Sequence, residues 1–186
     1  MKTIRNSLFE TNSSSIHSIC ICNKKSRYTE QKFSDVCLDE YGWSYGDDDM
    51  LRTPLQKLSY LFTYAIERLM NYDKDLIEHD KSLRYPDGEY NDDYDNDFIE
   101  RINEYIHDRN SEFSQYKETE GIDFLVNFVK DHCDDFSEFN ISDRYGFNID
   151  HQSVESETLL ELINGINFDD LIFNDKYAIE ISNDNK

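Results

Sequence analysis

Between Thr53 and Met70 the apolar side chains fall on a helical period, and no other segment constrains the fold as tightly. Leu55, Leu58, Leu61, Phe62, Ala65, Ile66, Leu69 and Met70 recur at spacings of three and four, which lines them along one side of an α-helix. Thr53 suits the N-cap. Pro54 suits the first helical position, where its missing N–H is not needed. An apolar face of this width must be covered by other elements, so the segment is expected to be the central core helix.

The flanking patterns are shorter. Ser15–Asn23 (SIHSICICN) is apolar and rich in β-branched residues and reads as a strand, as does Tyr177–Ile181 (YAIEI) near the C-terminus. Thr3–Phe9 reads as a further strand or ordered arm. Lys32–Leu38 is expected to pair with the first strand, and Gly42–Asp49 is expected to be a loop. Phe98–Ile106, Ile122–His132, Val154–Asn164 and Asn167–Phe173 read as helices, with Gly165 ending the third of these four. Phe139–Ile149 reads as a hairpin turning at Tyr145-Gly146. The order implies an α+β fold in which a small sheet, built from N-terminal strands and the C-terminal strand, packs with four or five helices. The 186 residues suit a single domain, with a polar arm at 1–15 and an acidic loop around 85–97, where Pro86-Asp87-Gly88 supplies turn chemistry.

Charge is unevenly distributed. The first 32 residues hold six Lys/Arg and two Glu, a local charge of +4. The remainder holds thirty-eight Asp/Glu against thirteen Lys/Arg, −25, giving the −21 of the whole chain. A net charge of magnitude about 2–8 is enough to keep a small domain soluble. Thirteen Tyr and twelve Phe separate this chain from disordered acidic tails, which lack aromatics. Such a body repels nucleic acid and anionic membranes and attracts basic surfaces. Duplex DNA carries about one charge per 1.7 Å, so twenty-five charges correspond to roughly 40 Å of duplex. A compact chain of this length has a radius of gyration of roughly 16 Å, so the two charge densities are similar. Acidic residues concentrate at Asp47, Asp48 and Asp49, at Asp87, Glu89, Asp92, Asp93, Asp95 and Asp97, and at Asp134, Asp135 and Glu138. Tyr72, Tyr85, Tyr90 and Tyr94 are interleaved with them as candidate interface aromatics.

Candidate chemistry gathers near the N-terminus. Arg5, Glu10, Asn12, Ser15 and His17 bring together a cation, a carboxylate, an amide, a hydroxyl and an imidazole, which a catalytic reading would use with His17 as base and Glu10 orienting it. Side-chain-to-backbone hydrogen bonds in turns account for the same Ser/Thr/Asn run without catalysis. His17, Cys20, Cys22 and Cys37 form a conceivable zinc set, but C-x-C is narrower than the usual C-x2-C spacing, and cysteines in a strand more often pack as small apolar groups. Asp92–Asp97 lacks the glycine of a calcium-binding loop. No metal or cofactor is expected, and no P-loop, GxGxxG, HExxH or GxSxG is present. The longest apolar runs are four or five residues and MKTIRNSLFETNSSS has no apolar signal region, so a cytoplasmic location is expected.

The string RNSLFETNSSSIHS resembles the opening of a group of small phage and prophage proteins from low-GC Gram-positive bacteria. The resemblance runs from Arg5 to Ser18, and position 16 is Ile where that group has Thr. It carries no assigned active site. It implies a mobile-element origin and a bacterial host cell. Combined with the charge, it leads to the expectation of a non-enzymatic, anti-CRISPR-type inhibitor. Its partner would be a basic nucleic-acid-binding protein such as a CRISPR effector nuclease, with a homodimer left open. A small phage enzyme using the N-terminal cluster, or an accessory phage protein, is the alternative.

Overall fold

The computed structural model describes residues 15–23, 25–41, 49–72, 92–109, 112–149 and 158–183. Residues 1–14 of the polar arm, Arg5, Glu10 and Asn12 among them, and Asp47, Asp48, Asp87 and Glu89 lie outside them. The fold is α+β, with five helices and five strands among the described residues.

Helix α1 (Pro54–Tyr72) is the centre of the molecule. Its start is fixed by a reciprocal cap. Thr53 Oγ1 accepts from Gln56 N–H at 3.2 Å, and Gln56 Oε1 accepts from Thr53 N–H at 3.1 Å. Every position from Lys57 to Met70 is buried, polar ones included, because strands and three further helices pack around it. The polar residues in this stretch have partners. Lys57 Nζ donates to the Leu171 carbonyl at 2.5 Å and to those of Asn174 and Tyr177 at 3.4 and 3.3 Å. It thereby caps a helix end that the backbone alone leaves open.

One sheet has the order β1 (Ser15–Ile21), β5 (Tyr177–Asn183), β3 (Asp49–Leu51), all antiparallel. The first and last strands pair as expected, with Ile19 opposite Ile179. The second sheet is a surprise: β2 (Asp35–Tyr41) and β4 (Asn140–Ile149) run parallel. The Lys32–Leu38 segment therefore does not join the first strand. Its alternation buries Val36, Leu38 and Tyr41 against α1, which a partner 100 residues away serves equally well. The expected hairpin at Phe139–Ile149 is likewise one strand. Between Leu38 and Glu40 the register jumps from Asp143 to Asn148, so Tyr145-Gly146 sits in a bulge rather than a turn.

Two of the helices start earlier than their apolar residues suggest. Helix α2 spans Asp92–His107, so Asp92, Asp93, Asp95 and Asp97 belong to its first turns and the acidic loop does not extend to residue 97. Carboxylates suit the positive end of a helix dipole, which overrides the loop-like composition. Asp49 similarly lies in β3 rather than in a loop. Helix α3 spans Thr119–Asp131, α4 Leu159–Leu162 and α5 Phe168–Phe173. Thr158 and Glu161 form a capping box on α4, and Gly165 adopts φ +76° just after it. The earlier part of the expected Val154–Asn164 helix lies outside the described residues. A contiguous core joins all these elements, from Phe33 and Val36 to Ile179 and Ile181.

Candidate partner-binding surface

Three separate segments, the entry to β2, the end of α2 and the stretch from the end of α3 into β4, meet at one pole of the fold. The Phe33 N–H donates to the His132 carbonyl at 2.9 Å, which lays the entry to β2 beside the end of α3. Parallel pairing sets Asp35 opposite Asn140. A 3-10 turn (Phe136–Glu138) leads into β4 there, and Phe136 and Phe139 stack with centroids 5.7 Å apart. His107, the last residue of α2, donates from Nε2 to the Phe139 carbonyl at 2.9 Å. Just before it, Asn103 clamps the free edge of β4, accepting from Ile141 N–H at 2.8 Å and donating to its carbonyl at 2.7 Å.

This convergence gathers Asp35, Asp108, Asp131, Asp134, Asp135 and Glu138, all exposed, at one end of the molecule. Lys32 and Lys130 are exposed at the same end, and the Lys130 ammonium sits 4.7 Å above the Phe136 ring. Asp135 caps the 3-10 turn: its Oδ1 accepts from Ser137 Oγ at 2.6 Å and Ser137 N–H at 2.9 Å, and these bonds hold its carboxyl below the usual carboxylate range. A second acidic patch surrounds Tyr28, among the described residues the most exposed large hydrophobic side chain at 53%. Its phenol is pushed above its ordinary value by partial burial first, then by the negative fields of Asp169, Glu30 and Asp170. Ring contacts from Tyr28 to Phe173 (5.7 Å) and from Phe173 to His132 (4.9 Å) tie this patch to the pole.

Of the sequence candidates, Asp134, Asp135 and Glu138 therefore stand together on one surface. Asp92, Asp93, Asp95 and Asp97 share the start of α2, and Asp49 lies in β3. Asp35, Asp108 and Tyr28 were missed. Single charges beside a strand, a helix end and an irregular segment leave no local run, and only tertiary contact joins them to Asp134.

Of the N-terminal cluster, Ser15 and His17 lie among the described residues. Ser15 pairs with Asn183 at the end of β1, and His17 pairs with Ile181. The His17 ring is buried, and its Nδ1 shares a 2.9 Å hydrogen bond with the Tyr60 hydroxyl. Tyr60 is itself almost wholly buried, and burial pushes its phenol well above the usual value. The four residues of the conceivable zinc set go separate ways. Cys20 donates to Glu180 Oε2 at 2.8 Å, and burial, followed by that bond, raises its thiol to about 11. Cys22 accepts from the Arg52 guanidinium at 3.1 Å, and Cys37 lies on β2 in the other sheet. Among the described residues no group of three His, Cys, Asp or Glu is placed to hold a metal. Nor is any described helix long and apolar enough to cross a membrane.

No protein-family model, curated protein or solved structure matches the chain.

Proposed function

We propose that the chain is a cytoplasmic, non-enzymatic inhibitor of phage origin, of the anti-CRISPR type, whose acidic surface occupies the nucleic-acid channel of a basic host protein such as a CRISPR effector nuclease. The observation that carries this reading is the acidic pole, where carboxylates from three segments distant in sequence are exposed together. Carboxylates held on a rigid surface can stand in for phosphates against rows of Lys and Arg, steering the encounter and blocking guide or target DNA. Tyr28 supplies an aromatic contact at the margin of the field, of the kind that anchors protein interfaces.

The test is charge reversal. Asp134→Lys, Asp135→Lys and Glu138→Lys together should weaken binding to a CRISPR effector nuclease, whereas Asp39→Lys with Glu40→Lys, farther along β2, should do much less. Equal losses would remove the pole as the interface. No binding by either protein would remove the proposed partner.

A further inference from the structure

The geometry points to a binding site for a small phosphate monoester, a sugar or polyol phosphate, in the open cleft between α2 and α3. The cleft encloses about 420 Å³, within the range of small-molecule pockets. Its floor is one face of α3, where Thr119, Asp123, Asn127 and Lys130 recur at spacings of four, four and three. That column is roughly 16 Å long at 1.5 Å per residue, room for a phosphate and a short hydroxylated body. Tyr105 and Arg109, at and just beyond the end of α2, form the opposite wall with Ser114.

Three of the polar groups hold one another in position. The Arg109 guanidinium lies 5.0 Å over the Tyr105 ring and pairs with Asp123 Oδ1. The Tyr105 hydroxyl donates to the same oxygen at 2.7 Å. Tyr105 is 2% exposed, so this bond anchors Asp123, and Asp123 in turn holds Arg109. One carboxylate oxygen thus takes both contacts, and the other stays available to a ligand hydroxyl. Several of Arg109's five donors remain for an anion, in the fork geometry that suits phosphate. Lys130 adds a second positive charge and Asn127 an amide. The described residues that line the cleft carry two cations and one carboxylate, a net positive lining in a chain of net charge −21. An acidic body repels anions, so one that enters here needs this local exception. A dianionic phosphate monoester matches the two cations, and its hydroxyls match Asp123 and Asn127.

The experiment follows backbone amide chemical shifts of the full chain during titration with glycerol 3-phosphate, inorganic phosphate and glycerol at constant ionic strength. Glycerol 3-phosphate should shift the amides around Arg109, Asp123, Asn127 and Lys130 saturably, phosphate should do so more weakly, and glycerol not at all. Lys130→Ala leaves the Tyr105–Asp123–Arg109 cluster intact, so it should fold normally while losing about tenfold or more in affinity, the expectation for one charge-assisted contact. Asp123→Asn should weaken glycerol 3-phosphate more than inorganic phosphate. Absence of saturable shifts, unchanged affinity in Lys130→Ala, or phosphate binding as tightly as its ester would each overturn the proposal.

Discussion

The His17–Tyr60 pair offers the sharpest separation of packing from function. Tyr60→Phe removes one hydroxyl from a site that is 2% exposed and leaves His17 Nδ1 without that 2.9 Å partner. The loss of a buried hydrogen bond that leaves its partner unmatched costs about 1–2 kcal/mol. In a chain of this length each kcal/mol shifts Tm by about 2–4 °C, so a fall of about 2–8 °C is expected. His17→Ala removes the same bond along with the ring's packing on Tyr60, whose centroid lies 5.6 Å away, and strands the hydroxyl, for about 2–4 kcal/mol. The double variant should be less destabilised than the sum, with a coupling of about 1 kcal/mol. Thermal and urea unfolding of the four proteins measure this, and partner binding should survive in all that fold. Strict additivity would refute the hydrogen bond. Lost binding at full stability would restore a functional role for His17.

Other outcomes follow from the same structure. Cys20 has a folded thiol raised to about 11 against 9.0, so its contribution to stability is complete below pH 9 and lost as pH rises towards 11. Cys20→Ala should flatten unfolding free energy across that window, and an unchanged pH slope would contradict the assignment. Thiol alkylation of the folded protein at pH 8 should modify the half-buried Cys133 before Cys20. The reverse order would contradict the buried thiol–carboxylate contact. Gly121 packs so closely that an added Cβ would lie 3.1 Å from Leu159 Cβ, so Gly121→Leu should destabilise by about 1–3 kcal/mol, and wild-type stability would show α3 and α4 farther apart than described.

Long periodic elements were legible in the sequence because their pattern is local. The helical spacing after Thr53, the β-branched run around Ile19 and the Tyr177–Ile181 alternation each say which face is buried, and the pairing of β1 with β5 followed. The partner of β2 was not legible. Its alternation of Val36, Leu38 and Tyr41 demands a covered face without naming the neighbouring strand, and β4 lies about a hundred residues on. Asp92–Asp97 misled because a run of Asp resembles a loop in composition while suiting the start of a helix electrostatically. Charge gave the sign of the surface, whereas the pole of Asp35, Asp108, Asp131, Asp134, Asp135 and Glu138 exists only after the Phe33–His132 and His107–Phe139 contacts form.

The central claim, that exposed carboxylates take the place of phosphates, is tested most directly by competition under changing salt. Binding of the chain to a CRISPR effector nuclease should be displaced by that nuclease's own nucleic acid, and its affinity should fall steeply and log-linearly between low and physiological salt, as phosphate contacts do. Simultaneous binding of chain and nucleic acid, or an affinity indifferent to salt, would contradict it.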